Sequence, residues 1–584
     1  STNFAASLVA NGSINLGTIR QGSNNSVIVE AGKQFLNDAQ SSELGTNIIG
    51  GGNVQLSGNN VNARAANIQA GVAGPNGSGA LVISATNNIN ITAGESTQSY
   101  GFATKEKIGN GGLFGSDGEK VTITTNSNTM AQGSNLGGNT VTLQAGTFSG
   151  NGTQSVAGAT LGNINVVGSN ILSTNGTNLI ATGQVNVTNA VNTFNSTYYQ
   201  QTTESGFLSG GTGISITYGD RTQRQTNNQS GTTAAASTIG STNGGVNIQA
   251  GGNVSVTGSN LLTGTLNTTS GKLEGGGDIN VVGSNVSITE ARETSKTDST
   301  TFFEQTGITV GVSVGMLNAV QSAQQMSNAI QNTGDQRMKA LGVAAGAMGV
   351  ASALQNPGPS VTVSIGTTTS KSQSSSSSNT ASGSNVQASG NVNVQATAGN
   401  LTIQGSNVNA GNNVSLSATD QVKLLAAQNT STEQSTSSSS STGVSVSYGM
   451  TGFGVGVSAS RGSGNSNGNS TSYTNTNVNA GNTLTLQSGG NTTLAGAVVS
   501  GNTVNVNVGG NLTIQSLQDT SDYTDTSRSV GVSVGTGSQT NPNTGKTTTT
   551  NSASVTFGKT NIDSTFQSVN QTSGIRAGNG GFNV

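Results

Sequence analysis

Apolar residues recur in pairs two positions apart, bounded by Gly-Asn or Ser-Asn turns. Residues 390–427, GNVNVQATAGNLTIQGSNVNAGNNVSLSATDQVKLLAA, show it best, with Val392/Val394, Leu401/Ile403, Val414/Leu416 and Val422/Leu424. Residues two apart in an extended strand share a face. The motif returns after 22 residues from Val392 to Val414 and after 21 from Leu401 to Val422. Strands this short, repeating near every 20 residues, predict stacked coils: an all-β, right-handed parallel β-helix, or β-solenoid. Asn in the turns tolerates left-handed backbone, and Asn stacked between coils can hydrogen-bond along the rod. Roughly 18 coils at about 4.8 Å each give a rod near 85 Å long.

A second pattern interrupts the first. Between Ser/Thr-rich flanks lie segments in strict alternation: GISITYG at 213–219, GITVGVSVG at 307–315, VTVSIG at 361–366, GVSVSYGMTGFGVGVSAS at 443–460, SVGVSVG at 529–535 and SASVTFG at 552–558. One row is apolar and the other is Ser, Thr or Gly, which predicts antiparallel hairpins leaving the rod and returning to it. The chain then divides into β-helix at 1–192, with a lateral loop near 95–127 and an irregular or short excursion at 43–49. A hairpin follows at 193–240, β-helix coils at 241–290 and a hairpin excursion at 291–383. Coils at 384–428, a hairpin at 429–478, coils at 479–518, a hairpin at 519–566 and a final coil at 567–584 complete it.

The longest excursion carries the one helical spacing. Met316, Ala319, Val320, Ala323, Met326, Ala329 and Ile330 predict a helix over about 316–332, and a second over about 335–355 ends before Asn356-Pro357. The two make a small helical hairpin whose second arm is uncharged, with Gly342 and Gly346 four apart.

Composition narrows the function. The 584 residues include 87 Gly but no His, Cys or Trp. Without His or Cys there is no imidazole general base, no Ser-His-Asp arrangement, and no imidazole or thiolate metal site. Only 7% of residues are charged and the net charge is −2, so a phosphate-binding footprint is absent and no nucleic-acid partner is expected. Carboxylates such as Asp278, Glu290 and Asp519 are scattered, with no cluster on one face for a carbohydrate-cleaving β-helix enzyme. The glycines of GNGGLFGSDGEK at 109–120 lack the Gly-Lys-Ser/Thr of a phosphate loop. The expectation is a protein that is not an enzyme and carries no cofactor or metal. No run reaches the roughly 20 apolar residues of a membrane-spanning helix, and STNFAASLVANG lacks the charged start and apolar core of a signal peptide. The chain begins and ends in mid-pattern, which suggests a piece of something longer.

From Val414 onward the residues LSATDQVKLLAAQNTST, NAGNTLTLQSGGNTTLAGAVVSGNTVNVNVGGNLTIQSLQDTSDY and the closing FQSVNQTSGIRAGNGGFNV resemble the haemagglutinin-repeat region of filamentous haemagglutinins. They look most like the exoproteins of contact-dependent growth inhibition. Leu494-Ala495-Gly496-Ala497 and Leu517-Gln518-Asp519 sit where that family carries its LxGA and S-xQD signatures, while Asn579 and Thr572 depart from the usual closing motif. The resemblance implies two-partner secretion through an outer-membrane transporter and a filament on a Gram-negative cell surface. It further implies one of two roles. One is a delivery segment that helps move a C-terminal toxin across the target cell's outer membrane; the other is an adhesin rod binding host or bacterial surfaces.

The sharpest candidate contact surface is the alternating hairpin at 443–460, with Val444, Val446, Tyr448, Phe453, Val455 and Val457 on one face. Membrane-barrel strands alternate in this way over roughly 9–11 residues, with aromatics near the ends. These residues are expected either to meet a target outer membrane or to pack on the rod or the next hairpin. Met316 and Met348, in the helical hairpin, are further candidates, as a membrane-penetrating tip or part of a packed appendage.

Overall fold

In the computed structural model, residues 6–29, 34–71, 78–109, 115–149, 159–209, 214–266, 273–313, 360–449, 452–540 and 544–584 are described. Each coil contributes three short strands. Asn385–Ala388, Val392–Ala396 and Leu401–Gln404 make one coil, and Asn407–Ala410, Val414–Ala418 and Val422–Leu425 make the next. The coils stack in parallel with Val392 opposite Val414 and Leu401 opposite Val422, the pairing the sequence period predicts. The third strands form an 11-stranded parallel sheet, and the first and second strands form the two sides of a 21-stranded one. Val, Ile and Leu from every other position fill the interior: Val392, Val394, Leu401, Ile403, Val414 and Leu416 are almost fully buried. Outside, Asn15, Asn62, Asn90, Asn165 and Asn186 run in a ladder, each amide donating to the preceding Oδ1 at 2.7–2.9 Å.

The rod is shorter than the roughly 18 coils expected. Eleven third strands at about 4.8 Å per step give roughly 50 Å. The difference is chain spent off the coils: one further hairpin and long connections between coil strands, such as that from Ala145 to Ile164, take residues that the period assigns to coils. The lateral excursion expected near 95–127 is a hairpin, Gly94–Ile108 paired with Ser116–Gln132. Another, Thr18–Val29 with Gln34–Gly45, lies where β-helix was expected. The remaining four pair Ala190–Ser209 with Ile214–Ala235, Ala291–Ser313 with Ser360–Ser382, Ala427–Gly449 with Gly452–Thr474, and Asp519–Thr540 with Thr547–Ser568. The expected helices at 316–332 and 335–355, with Met316 and Met348, lie outside the described residues; among those described there is no helix.

Among the described residues six long hairpins leave at the same corner, between the third strand of one coil and the first of the next, at every second coil; a two-residue pair, Thr265–Leu266 with Leu273–Glu274, lies apart between a first and a second strand. Two coils rise about 9.6 Å, and a hairpin is two strands, also about 9.6 Å, wide. Each hairpin therefore meets its neighbours edge to edge, and the six join in one 12-stranded antiparallel sheet beside the rod.

Local chemistry decides what happens at the shared corner. Where the coil continues without a hairpin, a residue with positive φ makes the turn: Ala65, Gly168, Gly258, Gly405 or Gly496, with φ between 47° and 65°. A Cβ on Gly168, Gly258 or Gly405 would lie 2.4–2.5 Å from the Cβ of Ala190, Ala291 or Ala427, the first residue of the hairpin strand beside it. Glycine there serves both the left-handed backbone and the close approach. Where a hairpin leaves, a hydroxyl closes its neck. Ser134 Oγ donates to Thr92 O, Ser237 to Thr188 O, Ser384 to Thr289 O, Thr476 to Leu425 O and Ser573 to Gln515 O, at 2.6–2.9 Å. Most of these hydroxyls also accept the backbone N–H of a corner residue one coil back, as Ser384 accepts that of Ser259 at 3.1 Å.

Candidate functional site: an exposed apolar face on the lateral sheet

Charge and apolarity are segregated along the hairpins. Near the rod, Glu43 bridges Arg64 at 2.7 Å and Arg20 at 3.3 Å, and Arg64 Nη1 donates to Ala93 O. The hydrogen bond from Arg64 holds the Glu43 carboxyl below its usual pKa against the opposing cost of burial. Glu290 pairs with Arg292 at 2.9 Å, and Arg292 also donates to Gln428 O, tying the fourth hairpin to the fifth. Farther out, Glu204 and Arg221 pair across the third hairpin at 2.6 Å. Beyond that point residues 307–313, 360–366, 443–449 and 452–458 carry no charge.

Cross-strand register turns the six sequence-expected residues into part of something larger. Val444 faces Val457, Val446 faces Val455 and Tyr448 faces Phe453 within the fifth hairpin. On one side Val444, Val446 and Tyr448 face Ile365, Val363 and Val361. Those in turn lead to Ile308 and Val310, and then to Tyr218 and Ile216. On the other side Val457 faces Val534, which faces Ala553, while the neighbouring Val532 faces Val555. Directly opposed residues share a face, so two apolar rows cross the sheet from the third hairpin to the fifth, one of them continuing into the sixth.

These side chains are not packed on the rod. Val444, Val446, Phe453 and Val457 are exposed and Tyr448 is 71% exposed, with Val455 partly covered. Ile216, Tyr218, Ile308, Val310, Val363, Ile365, Val532, Val534, Val555 and Phe557 are exposed as well. Contact with the next hairpin is through strand edges and leaves the apolar rows bare.

The opposite face is polar, and a glycine row crosses it. Gly206, Gly219, Gly307, Gly366 and Gly443 are consecutive cross-strand partners. A Cβ on Gly219 would lie 2.0 Å from Thr306 O, and one on Gly366 2.3 Å from Thr442 O, so side chains are excluded where neighbouring backbones come this close. Beside the row is an open cavity of about 230 Å³ lined by Gln305, Thr309, Ser364, Ser441, Ser445 and Ser458. Each glycine lies sixteen residues from its strand's neck end, at Ala190, Ala235, Ala291, Ser382 or Ala427. Equal arm lengths from matched necks place equal positions side by side.

Among the described residues no group of His, Cys, Asp or Glu is arranged to hold a metal ion, and no helix is long and apolar enough to cross a membrane. A β-solenoid that emits a hairpin at every second coil defines a structural repeat region. The chain belongs to the hemagglutinin-repeat family, whose model matches residues 124–274 and 365–532, more than half of it. It is 31% identical over 535 residues to a protein named tRNA nuclease CdiA from Escherichia coli, covering 86% of this chain and 15% of that protein. It is 31% identical over 582 residues to the 16S rRNA endonuclease CdiA of Enterobacter cloacae subsp. cloacae, covering 95% and 16%. A deoxyribonuclease CdiA of Dickeya dadantii is 30% identical over 414 residues, covering 68% and 12%. The chain thus spans about one sixth or less of the length of these relatives. No solved structure matches it significantly.

Proposed function

We propose that this chain is a structural and delivery segment of a secreted filamentous exoprotein of a Gram-negative bacterium. In this reading the full-length protein is exported by an outer-membrane transporter of two-partner secretion. The segment then helps a C-terminal toxin cross the target cell's outer membrane. The nuclease names of the relatives are read as describing a part outside this chain, and the segment itself is not an enzyme. Val444, Val446, Tyr448, Phe453, Val455 and Val457 are the membrane- or partner-contacting residues.

The observation that carries the reading is the exposed, uncharged apolar face, backed by a Ser/Thr/Gly face. That one-sided alternation suits strands that meet hydrocarbon on one face and water or protein on the other. The uncharged reach of seven residues, at about 3.4 Å each, is roughly 24 Å, close to the apolar band of about 25 Å on outer-membrane strands. Flotation with liposomes of outer-membrane lipid composition tests it. Wild type should float and Val455→Asp combined with Val446→Asp should lose most of that binding. Equal and negligible flotation of both proteins, with retained binding to whole cells, would instead favour the adhesin role.

A further inference from the structure

We infer that in water the apolar face of the lateral sheet is covered by the same face of a second copy of this chain, the two sheets packing face to face. An apolar patch on a monomer's surface is ordinarily at most about 300–600 Å². Here seven adjacent strands, from Ile214–Ala235 to Thr547–Ser568, carry the face, the band stepping toward the rod on the last two, where Val534, Val532 and Val530 lie opposite Val457, Ala459 and Arg461. Taking about 4.8 Å per strand and seven residues at about 3.4 Å gives roughly 800 Å². That equals the area each partner contributes to a stable interface of standard size.

Three further features fit a second copy. The face carries no charge at 307–313, 360–366, 443–449 and 452–458, so its central strands meet a second copy without like-charge repulsion, and the cations Arg461, Arg528 and Lys559 lie at its margin on the sixth-hairpin side. Its side chains are mostly Val and Ile in straight cross-strand rows, the kind that interdigitate between two sheets about 10 Å apart. The distal band begins sixteen residues from the necks, about 50 Å of extended strand, so two rods can lie on opposite flanks of the joined sheets without colliding. A two-fold arrangement satisfies both copies with one patch and closes at the dimer.

Val446, opposite Val363 and Val455, lies well inside the band. Sedimentation velocity of the 584-residue chain, from about 1 to about 50 μM, should show a concentration-dependent dimer. Val446→Asp combined with Val455→Asp should weaken association at least about tenfold, which is about 1.4 kcal/mol. Because the wild type has no cysteine, single replacements report the face directly and with little disturbance to folding. Val363→Cys, Val446→Cys and Val457→Cys should be joined between copies by a short bis-maleimide. Ser445→Cys, adjacent in sequence and on the opposite face, should not. A wild type that stays monomeric at the highest concentration overturns the inference. So does a dimer unaffected by the double Asp variant, or cross-linking as fast through Ser445→Cys as through the three apolar-face positions. A monomer that still floats with liposomes refutes the paired sheets and leaves the lipid contact standing. A dimer that never floats does the reverse.

Discussion

At single positions the coil and the hairpin compete for one corner, and small groups decide between them. Gly405 has φ of 55°, and its missing Cβ makes room for Ala427. Gly405→Val should cost about 1–3 kcal/mol from backbone strain alone, with the clash added. Ala427→Gly in the same chain should relieve the clash and leave the strain. Hydrogen exchange at residues 404–410 is the readout, and full rescue would show that φ contributes nothing. The Glu43 bridge gives a second test. Its carboxyl pKa is lowered in the folded state, chiefly by the Arg64 hydrogen bond. The bridge therefore stabilises fully above the ordinary carboxylate pKa of about 4.3, and that contribution is lost as pH falls through the lowered value. Exchange at 18–45 should accelerate in acid, and Glu43→Gln should already be fast at neutral pH and change less on acidification.

At the scale of the hairpin, the neck matters more than the arms. Ser384 Oγ links the two sides of the fourth hairpin's neck and accepts the Ser259 N–H. Ser384→Ala leaves the buried Ser259 N–H without its acceptor, while Thr289 O keeps the Gly258 N–H, a cost of about 1–3 kcal/mol. Exchange should rise at 291–295 and 378–382 before it rises in the coils; uniform destabilisation of the rod would contradict the assignment. The hairpins themselves were legible because alternation of the kind in GVSVSYG has one meaning in an extended strand. Their neighbours were less so. Alternation gives the face a residue lies on, and only counting back to the necks gives the row, which requires knowing that all necks share one corner. The first hairpin was hidden for a different reason. Arms such as TIRQGSNNSVIV contain Ser and Asn in the same short clusters that mark coil turns.

For the whole molecule the decisive quantity is the match between two coils and two strands. Deleting one coil, residues 385–406, should leave the rod stacked, because Asn385 and Val386 sit opposite Asn407 and Val408. It should nonetheless bring the fourth and fifth hairpins within about 4.8 Å of rise, half the width either needs. The pairing of Ser360–Ser382 with Ala427–Gly449 should then be lost. Deleting 385–475 removes two coils together with a hairpin and should restore a continuous sheet, with Ser360–Ser382 beside Asp519–Thr540. Hydrogen exchange across these strands distinguishes the two deletions. Equal protection in both would show that the spacing does not matter. The 20-residue period exposed the rod, but its length was overestimated, since periodicity in fragments does not say how much chain departs between them.

Because each ribbon emerges beside the one before it, the margin left by the last is a template waiting for the next. A polypeptide presented to water from its leading end would fasten like a zip, one tooth per pair of turns, with no need to search for distant partners. Were the chain exported as proposed, each tooth closed would make it harder for the part already outside to slip back.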